Sequence, residues 1–240
     1  MYLKRIGLIA SATALMSLAC LTAAHAQLTT FAQFRESNNS VNAFSFTNTD
    51  STASGFHVVS IPVEFSYGVN NGYNGNSTAN IDATLTFSAN VTAKPTALGG
   101  GFFSQDFTNV SMVFTANTPV NGLTNLLTVS NSTLSMFGKG NSASTDSDVS
   151  TGDTVNFSSD FLIFSNTIDR DFALSFSSLQ PGLSTDINGW LKSFTASGTG
   201  TFASEPAPFY SPDGASLSLL SGGLLPLAGF ALYRRRRAKK

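Results

Sequence analysis

The stretch Ile81-Asp82-Ala83-Thr84-Leu85-Thr86-Phe87 alternates apolar and polar side chains at every position. Successive side chains of a β-strand point to opposite faces of the sheet, so this period of two predicts a strand with one buried face and one wet face. The same pattern recurs along the chain and predicts further strands at residues 43–47, 57–67, 109–115, 127–136, 154–164, 172–176 and 194–202.

Turn-forming residues separate these predicted strands. Clusters of Gly, Asn, Asp and Ser lie at residues 68–77, 98–101, 138–153 and 180–189. Crossover helices and continuous Val/Ile runs, which parallel α/β folds need, are not evident. Phe on one face of the strands and Thr or Ser on the other therefore predict an all-β ectodomain over residues 27–203. We expect an antiparallel β-sandwich, jelly-roll-like, with the stripe of phenylalanines along its strands forming the core.

Charge is sparse and segregated. Charged residues make up 11% of the chain, against about 25% in typical soluble domains. Six of the 13 basic residues lie in the last seven positions, and Lys4 and Arg5 lie near the start. The part between is acidic and offers no basic face to a phosphate backbone, so nucleic acid is not expected as a partner.

The first 26 residues have the order of a secretory signal peptide. Lys4 and Arg5 form a basic start, a small-and-apolar stretch follows, and Ala24 and Ala26 supply the small residues that signal peptidase needs at its cleavage site. Two alternatives are a first transmembrane helix and a lipoprotein cut before Cys20. The second has Ser17 where a lipobox has Leu.

The C-terminal end divides into three parts. Residues 204–214 form a Pro-rich spacer that ends in Pro212, Asp213 and Gly214. Residues 215–233 carry no charge and as a helix span about 28 Å. Residues 234–240 form a basic tail, which by the positive-inside rule stays in the cytoplasm and leaves the ectodomain outside. The stop-transfer cluster is Arg234, Arg235, Arg236 and Arg237.

This order of motif, hydrophobic helix and arginine cluster resembles the C-terminal sorting signals of PEP-CTERM proteins, which exosortases process. The usual Pro-Glu-Pro is absent, and Pro212-Asp213-Gly214 is similar to the variant signals of the V-P-D-S-G type. The resemblance implies that an exosortase removes the transient anchor. The domain then joins the cell surface or an exopolysaccharide matrix of a biofilm. The alternative is a permanent single-pass membrane anchor.

Residues able to carry chemistry are few. The one cysteine, Cys20, lies in the leader, and His57 is the one histidine beyond it, so no disulfide or zinc site is expected there. No Gly-x-Ser-x-Gly elbow accompanies His57, which we interpret as an ordinary strand residue. Seven carboxylates could supply a glycosidase pair, but no spacing selects two of them: Glu36, Glu64, Asp82, Asp106, Asp160, Asp169 and Asp171. We therefore expect no enzymatic activity.

A weak cation site is the one cofactor prediction. Asp146, Asp148 and Asp153 cluster in a Gly/Ser-rich segment, and oxygen ligands in a flexible loop suit Ca²⁺. The alternative is a solvated acidic loop, since the EF-hand order of ligands is absent.

Three functions follow in order of preference. The first is a structural surface or matrix protein that contacts exopolysaccharide. The second is a carbohydrate-binding module, which we expect to show Trp190 with Tyr67 or Tyr73 lining one groove. The third is a secreted hydrolase, which needs two facing carboxylates in a cleft.

Overall fold

The computed structural model of the protein describes residues 28–38, 42–69, 73, 79–147 and 154–210. These residues contain thirteen β-strands and no α-helix, and the paired strands are antiparallel. The all-β prediction is confirmed. The strands are β1 (Thr29–Glu36), β2 (Phe44–Thr47), β3 (Gly55–Tyr67), β4 (Ile81–Val91), β5 (Thr96–Gly99), β6 (Phe102–Val120), β7 (Leu123–Lys139), β8 (Ser142–Asp146), β9 (Val155–Ser158), β10 (Leu162–Ile163), β11 (Asp169–Gln180), β12 (Phe194–Glu205) and β13 (Phe209–Tyr210).

Each predicted strand coincides with an observed one, and the stretch 154–164 splits into β9 and β10. Of the segment 138–153, predicted as a turn cluster, the described residues 138–147 instead contain a tight hairpin around Gly140 and Asn141 that leads into β8. The sequence of β8 is rich in Ser, Ala and Thr, which is why it resembles a loop. Its backbone nevertheless pairs with β7 on one side and β11 on the other.

Eight of the strands form a closed ring. The sheet runs β6-β4-β3-β1-β12-β11-β8-β7, and β7 pairs again with β6. Four of the eight pairings in the ring, β3–β4, β6–β7, β7–β8 and β11–β12, join strands that follow one another in the sequence, and the other four join strands that do not.

One place in the ring is shared by two short strands. Both β1 and β2 lie between β12 and β3, with β1 at one end and β2 at the other. Pairing of β1 with β12 ends at Arg35 and Thr199, and pairing of β2 begins at Phe44 and Ala196. Between these points β12 pairs with β11 on one side only, and on its other side the Gly198 amide donates a hydrogen bond to the Glu36 side chain.

The core is a continuous set of buried aromatic and aliphatic side chains. Ring contacts join strands that are three or four places apart in the closed sheet. Phe114 on β6 lies 5.0 Å from Phe34 on β1 and 5.4 Å from Phe202 on β12, measured between ring centroids. Phe56 on β3 stacks on Phe176 of β11 at 5.3 Å. The ring is therefore filled in two facing layers, as in a sandwich.

Two glycines on the inward side of β12 make room for these rings. A Cβ at Gly198 would lie 2.4 Å from the ring of Phe44, and a Cβ at Gly200 would lie 2.5 Å from Phe34 Cε1. Any larger residue at either position would have to displace a core phenylalanine. The glycines of β12 are thus required by packing.

The fold extends beyond the predicted domain end at residue 203. Strand β12 continues to Glu205, and Phe209–Tyr210 pairs with Leu162–Ile163. Residues 204–210, expected as a spacer, therefore belong to the folded domain. The predicted signal peptide, residues 211–214, the uncharged stretch 215–233 and the basic residues 234–240 lie outside the described residues. Within the described ranges no helix is long and apolar enough to cross a membrane.

Replacing Gly198 by Ala should destabilise the domain by about 1–3 kcal/mol, because overpacking forces core side chains off their preferred rotamers. Urea unfolding followed by fluorescence measures the loss. The outward-facing Thr86→Ala on β4 is the control and should cost less than about 1 kcal/mol, the span of strand propensities. Equal stabilities for Gly198→Ala and the parent chain would refute the packing argument.

Candidate functional site

The residues predicted from the terminal signals and most of the predicted cation site lie outside the described residues. This applies to Ala24, Ala26, Pro212, Asp213, Gly214, Arg234, Arg235, Arg236, Arg237, Asp148 and Asp153. The backbone of Asp146 ends β8, opposite Ser135 and Ala173. Among the described residues no group of three or more His, Cys, Asp or Glu could hold a metal ion. The calcium prediction therefore stays a prediction.

His57 lies on β3 opposite Ser88 of β4 and is exposed. Its Nε2 lies 3.4 Å from the carbonyl oxygen of Ala53, four residues back. This contact is local to the turn before the strand, as expected of an ordinary strand histidine.

The predicted carboxylates are spread over the molecule, and several have structural partners. Asp160 Oδ2 accepts hydrogen bonds from the backbone amides of Thr124 and Asn125, at 3.1 and 2.8 Å, which fastens the β9–β10 connection to the start of β7. Asp106 Oδ1 accepts a hydrogen bond from Ser135 Oγ at 2.7 Å across β6 and β7. These two side chains stabilise the fold locally.

Glu64 is the centre of a polar cluster on the outer face of the ring. Its Oε2 accepts hydrogen bonds from Arg35 Nε at 2.8 Å, Arg35 Nη2 at 2.5 Å and Asn80 Nδ2 at 2.7 Å. Arg35 and Glu64 are directly opposite each other on β1 and β3, and Glu64 is also opposite Asp82 on β4. The Arg35 side chain is 59% exposed and that of Glu64 27%. An ion pair this exposed contributes roughly 0–1 kcal/mol to stability.

A cavity of about 400 Å³ lies beside this cluster. Its lining crosses four strands, from β11 through β12 and β1 to β3. Its lining includes the hydroxyl and amide side chains of Gln33, Ser66, Asn80, Ser175, Thr199 and Thr201. Such a lining offers many hydrogen-bond donors and acceptors and one charged pair. It suits a hydroxylated ligand better than an apolar one.

Glu64 and Asp82 provide the facing carboxylates that the hydrolase hypothesis requires. Arg35 and Asn80, however, direct three hydrogen bonds onto one Glu64 oxygen. A general acid or nucleophile must reach the substrate, whereas this oxygen already accepts from three donors. This geometry favours a structural ion pair over an acid–nucleophile pair.

The predicted aromatic groove is not formed. Tyr67 is buried at one end of β3, and its hydroxyl donates a hydrogen bond to the carbonyl of Leu126 at 2.7 Å. Burial raises the pKa of Tyr67 above that of an exposed tyrosine. Tyr73 is also buried and contacts Phe161. Trp190 is half-buried in the connection before β12, with Lys94 Nζ 5.8 Å from its ring centroid. The three side chains line no common groove.

Glu36 is a predicted carboxylate that is buried and has one oxygen without a hydrogen bond from the described residues. It is 3% exposed and lies at the end of β1, where β12 has no strand partner on the side that faces β1 and β2. Its Oε1 accepts a hydrogen bond from the Gly198 amide at 3.2 Å. No described residue provides a hydrogen bond to Oε2. Beside it, Ser197 Oγ donates to Asn42 Oδ1 at 3.1 Å. Burial raises the pKa of Glu36, and the hydrogen bonds that it accepts oppose this.

A second carboxylate contact was not predicted from the sequence. Asn48 Nδ2 donates to Asp186 Oδ2 at 2.7 Å, while Asp186 Oδ1 accepts from the amides of Asn188 and Trp190. Burial acts to raise the pKa of Asp186, but hydrogen bonds with Asp50, Asn48 and those amides outweigh it and lower the pKa. The contact ties the β2–β3 turn to the connection before β12. Asn48 and Asp186 are 138 positions apart in the sequence, so no local sequence pattern could predict their contact.

Comparison with known proteins gives no relative: no family, no curated protein and no solved structure matches the chain.

Glu36 makes the stability of the fold depend on pH. The pKa of Glu36 in the folded state lies above its ordinary value. The contribution of Glu36 to the free energy of unfolding is therefore present at low pH and is lost as the pH rises through the folded-state pKa. The free energy of unfolding of the parent chain, relative to Glu36→Gln, should therefore rise as the pH falls from about 8 to about 5. Urea unfolding at each pH measures it, with the exposed Asp169→Asn as baseline. A relative stability that falls with the pH would contradict this assignment.

Proposed function

We propose that the chain is an exported structural protein of the bacterial cell surface or extracellular matrix, sorted by an exosortase. The support for export and sorting is the order of the terminal segments. A leader with a signal-peptidase site precedes the domain, and a motif, an uncharged stretch and an arginine cluster follow it. By this proposal the C-terminal helix anchors the protein only until the exosortase removes it.

The observation that supports a structural role is the division of side chains between the two faces of the ring. The rings of Tyr67 and Tyr73 are buried with the core phenylalanines. The outward positions of β12 and β11 carry residues such as Thr199, Thr201 and Ser175. A hydroxyl-rich surface around a rigid aromatic core suits a component that stays hydrated and folded within a polysaccharide matrix.

Carbohydrate binding is the second candidate, favoured by the cavity beside Arg35 and Glu64. Its polar lining matches the hydroxyl groups of a sugar. The two candidates are compatible, since a matrix protein that binds the surrounding polysaccharide would perform both roles.

The sorting proposal predicts the covalent state of the mature C-terminus. Mass spectrometry of the protein from the cell surface should show that the arginine cluster has been removed. Replacing Pro212, Asp213 and Gly214 together by Ala should leave Arg234–Arg237 attached and retain the protein in the membrane fraction. Thr86→Ala, which changes neither signal, should be processed as the parent chain is. An intact arginine tail on the parent surface protein would instead establish a permanent anchor.

A further inference from the structure

Exposed phenylalanines are rare among the described residues, and two of them share one surface. Those exposed are Phe102, Phe137 and Phe209, at 50%, 46% and 59%. Phe102 begins β6 and Phe137 lies near the end of β7. Ser104 is opposite Phe137 and Phe103 is opposite Gly138, so Phe102 is displaced by two residues from the position facing Phe137. Diagonal neighbours on one face of a sheet come within reach of aromatic side chains.

A cation lies with these two rings. Lys139 Nζ is 5.1 Å from the centroid of Phe102. Lys139 forms no ion pair with a carboxylate of the described residues. The ion pair among those residues joins Arg35 and Glu64. The two rings and the ammonium group line an open cavity of about 730 Å³, together with Asn141, Ser142 and Ser144.

This cavity is a neighbour of the polar cavity beside Glu64, since Ser175 lines both. Strand register places residues of both cavities in one row. Six successive cross-strand partners form one row across β7, β8, β11, β12, β1 and β3: Phe137, Ser144, Ser175, Thr199, Arg35 and Glu64. Five spacings of about 4.8 Å give this row a length of about 24 Å. We call this row, with Phe102 and Lys139, the outer strip.

We infer that the outer strip binds an extended acidic polysaccharide, one that carries uronic-acid carboxylates. Sugar rings have apolar C–H faces that can cover the two exposed phenylalanines, and their hydroxyl edges can bond to the Ser and Thr row. The Lys139 ammonium supplies the charge that a uronate carboxylate requires. A length of about 24 Å fits a chain of several sugar units better than a single sugar.

A protein partner fits the strip less well. Stable protein interfaces bury about 800 Å² on each side around an apolar centre. Here two rings are followed by a row of hydroxyl groups and an ion pair, without further exposed aromatic residues. The composition favours a narrow, hydroxylated ligand that follows the row.

The test is isothermal titration of the full chain, purified in detergent, with three probes: hexagalacturonate, digalacturonate and neutral cellohexaose. Hexagalacturonate should bind best, and the dimer should bind at least about tenfold more weakly because it cannot span the strip. Phe137→Ser and Phe102→Ser should each weaken hexamer binding about tenfold, as loss of an aromatic anchor does. Lys139→Gln should remove the preference for hexagalacturonate over cellohexaose and much of the dependence on salt.

The matched control is Phe209→Ser, which removes an exposed phenylalanine of β13, away from the row. It should bind as the parent chain does, and thermal unfolding should show that every variant remains folded. Equal weakening by Phe209→Ser, or no binding of any probe at millimolar concentration, would overturn the inference. Loss of self-association in Phe137→Ser, seen by sedimentation without sugar binding, would assign the strip to a second copy of the chain and also overturn it. None of these outcomes depends on how the C-terminus is processed.

Discussion

The structure depends on phenylalanine rings that meet across the interior of a closed sheet. Phe114 contacts Phe34, Phe65 and Phe202, which come from three different strands. Each buried phenylalanine side chain contributes about 1.5–3 kcal/mol, and each favourable ring pair about 0.5–1.5 kcal/mol more. No disulfide can assist, because the chain's single cysteine precedes the domain. Ring packing is therefore the interaction that holds opposite strands together.

The packing of the rings explains the two inward glycines of β12 and the buried carboxylate beside them. Rings need volume, and β12 provides it with Gly198 and Gly200 beneath Phe44 and Phe34. The same region carries the break between β1 and β2, where β12 pairs with β11 alone. An unpaired amide in a buried place is costly, so Glu36 enters the interior to accept its hydrogen bond. A buried carboxylate with a raised pKa is the consequence of closing the sheet at that point.

Patterns within one strand could be predicted from the sequence, whereas contacts between strands that are distant in the sequence could not. Alternation within a strand is local, and it located stretches such as Ile81–Phe87 and identified the inward phenylalanines. Pairing between strands is not local. Glu64 could be named as a carboxylate, but its contact with Arg35 depends on a register between residues 29 positions apart. Strand β8 was missed because its small polar residues carry no apolar period, and its order comes from two neighbouring backbones.

Strand register also determines which side chains are neighbours on the outer face of the ring. Cross-strand partners form rows, and each row consists of the outward residues that adjacent strands place opposite one another. In one row the residues change from an aromatic side chain at Phe137, through hydroxyl groups, to the Arg35–Glu64 pair. Most of the other phenylalanines pack in the core. A phenylalanine on the surface adds nothing to that packing and leaves apolar area exposed to water. Two such rings beside Lys139 are therefore better explained by a ligand than by the requirements of folding.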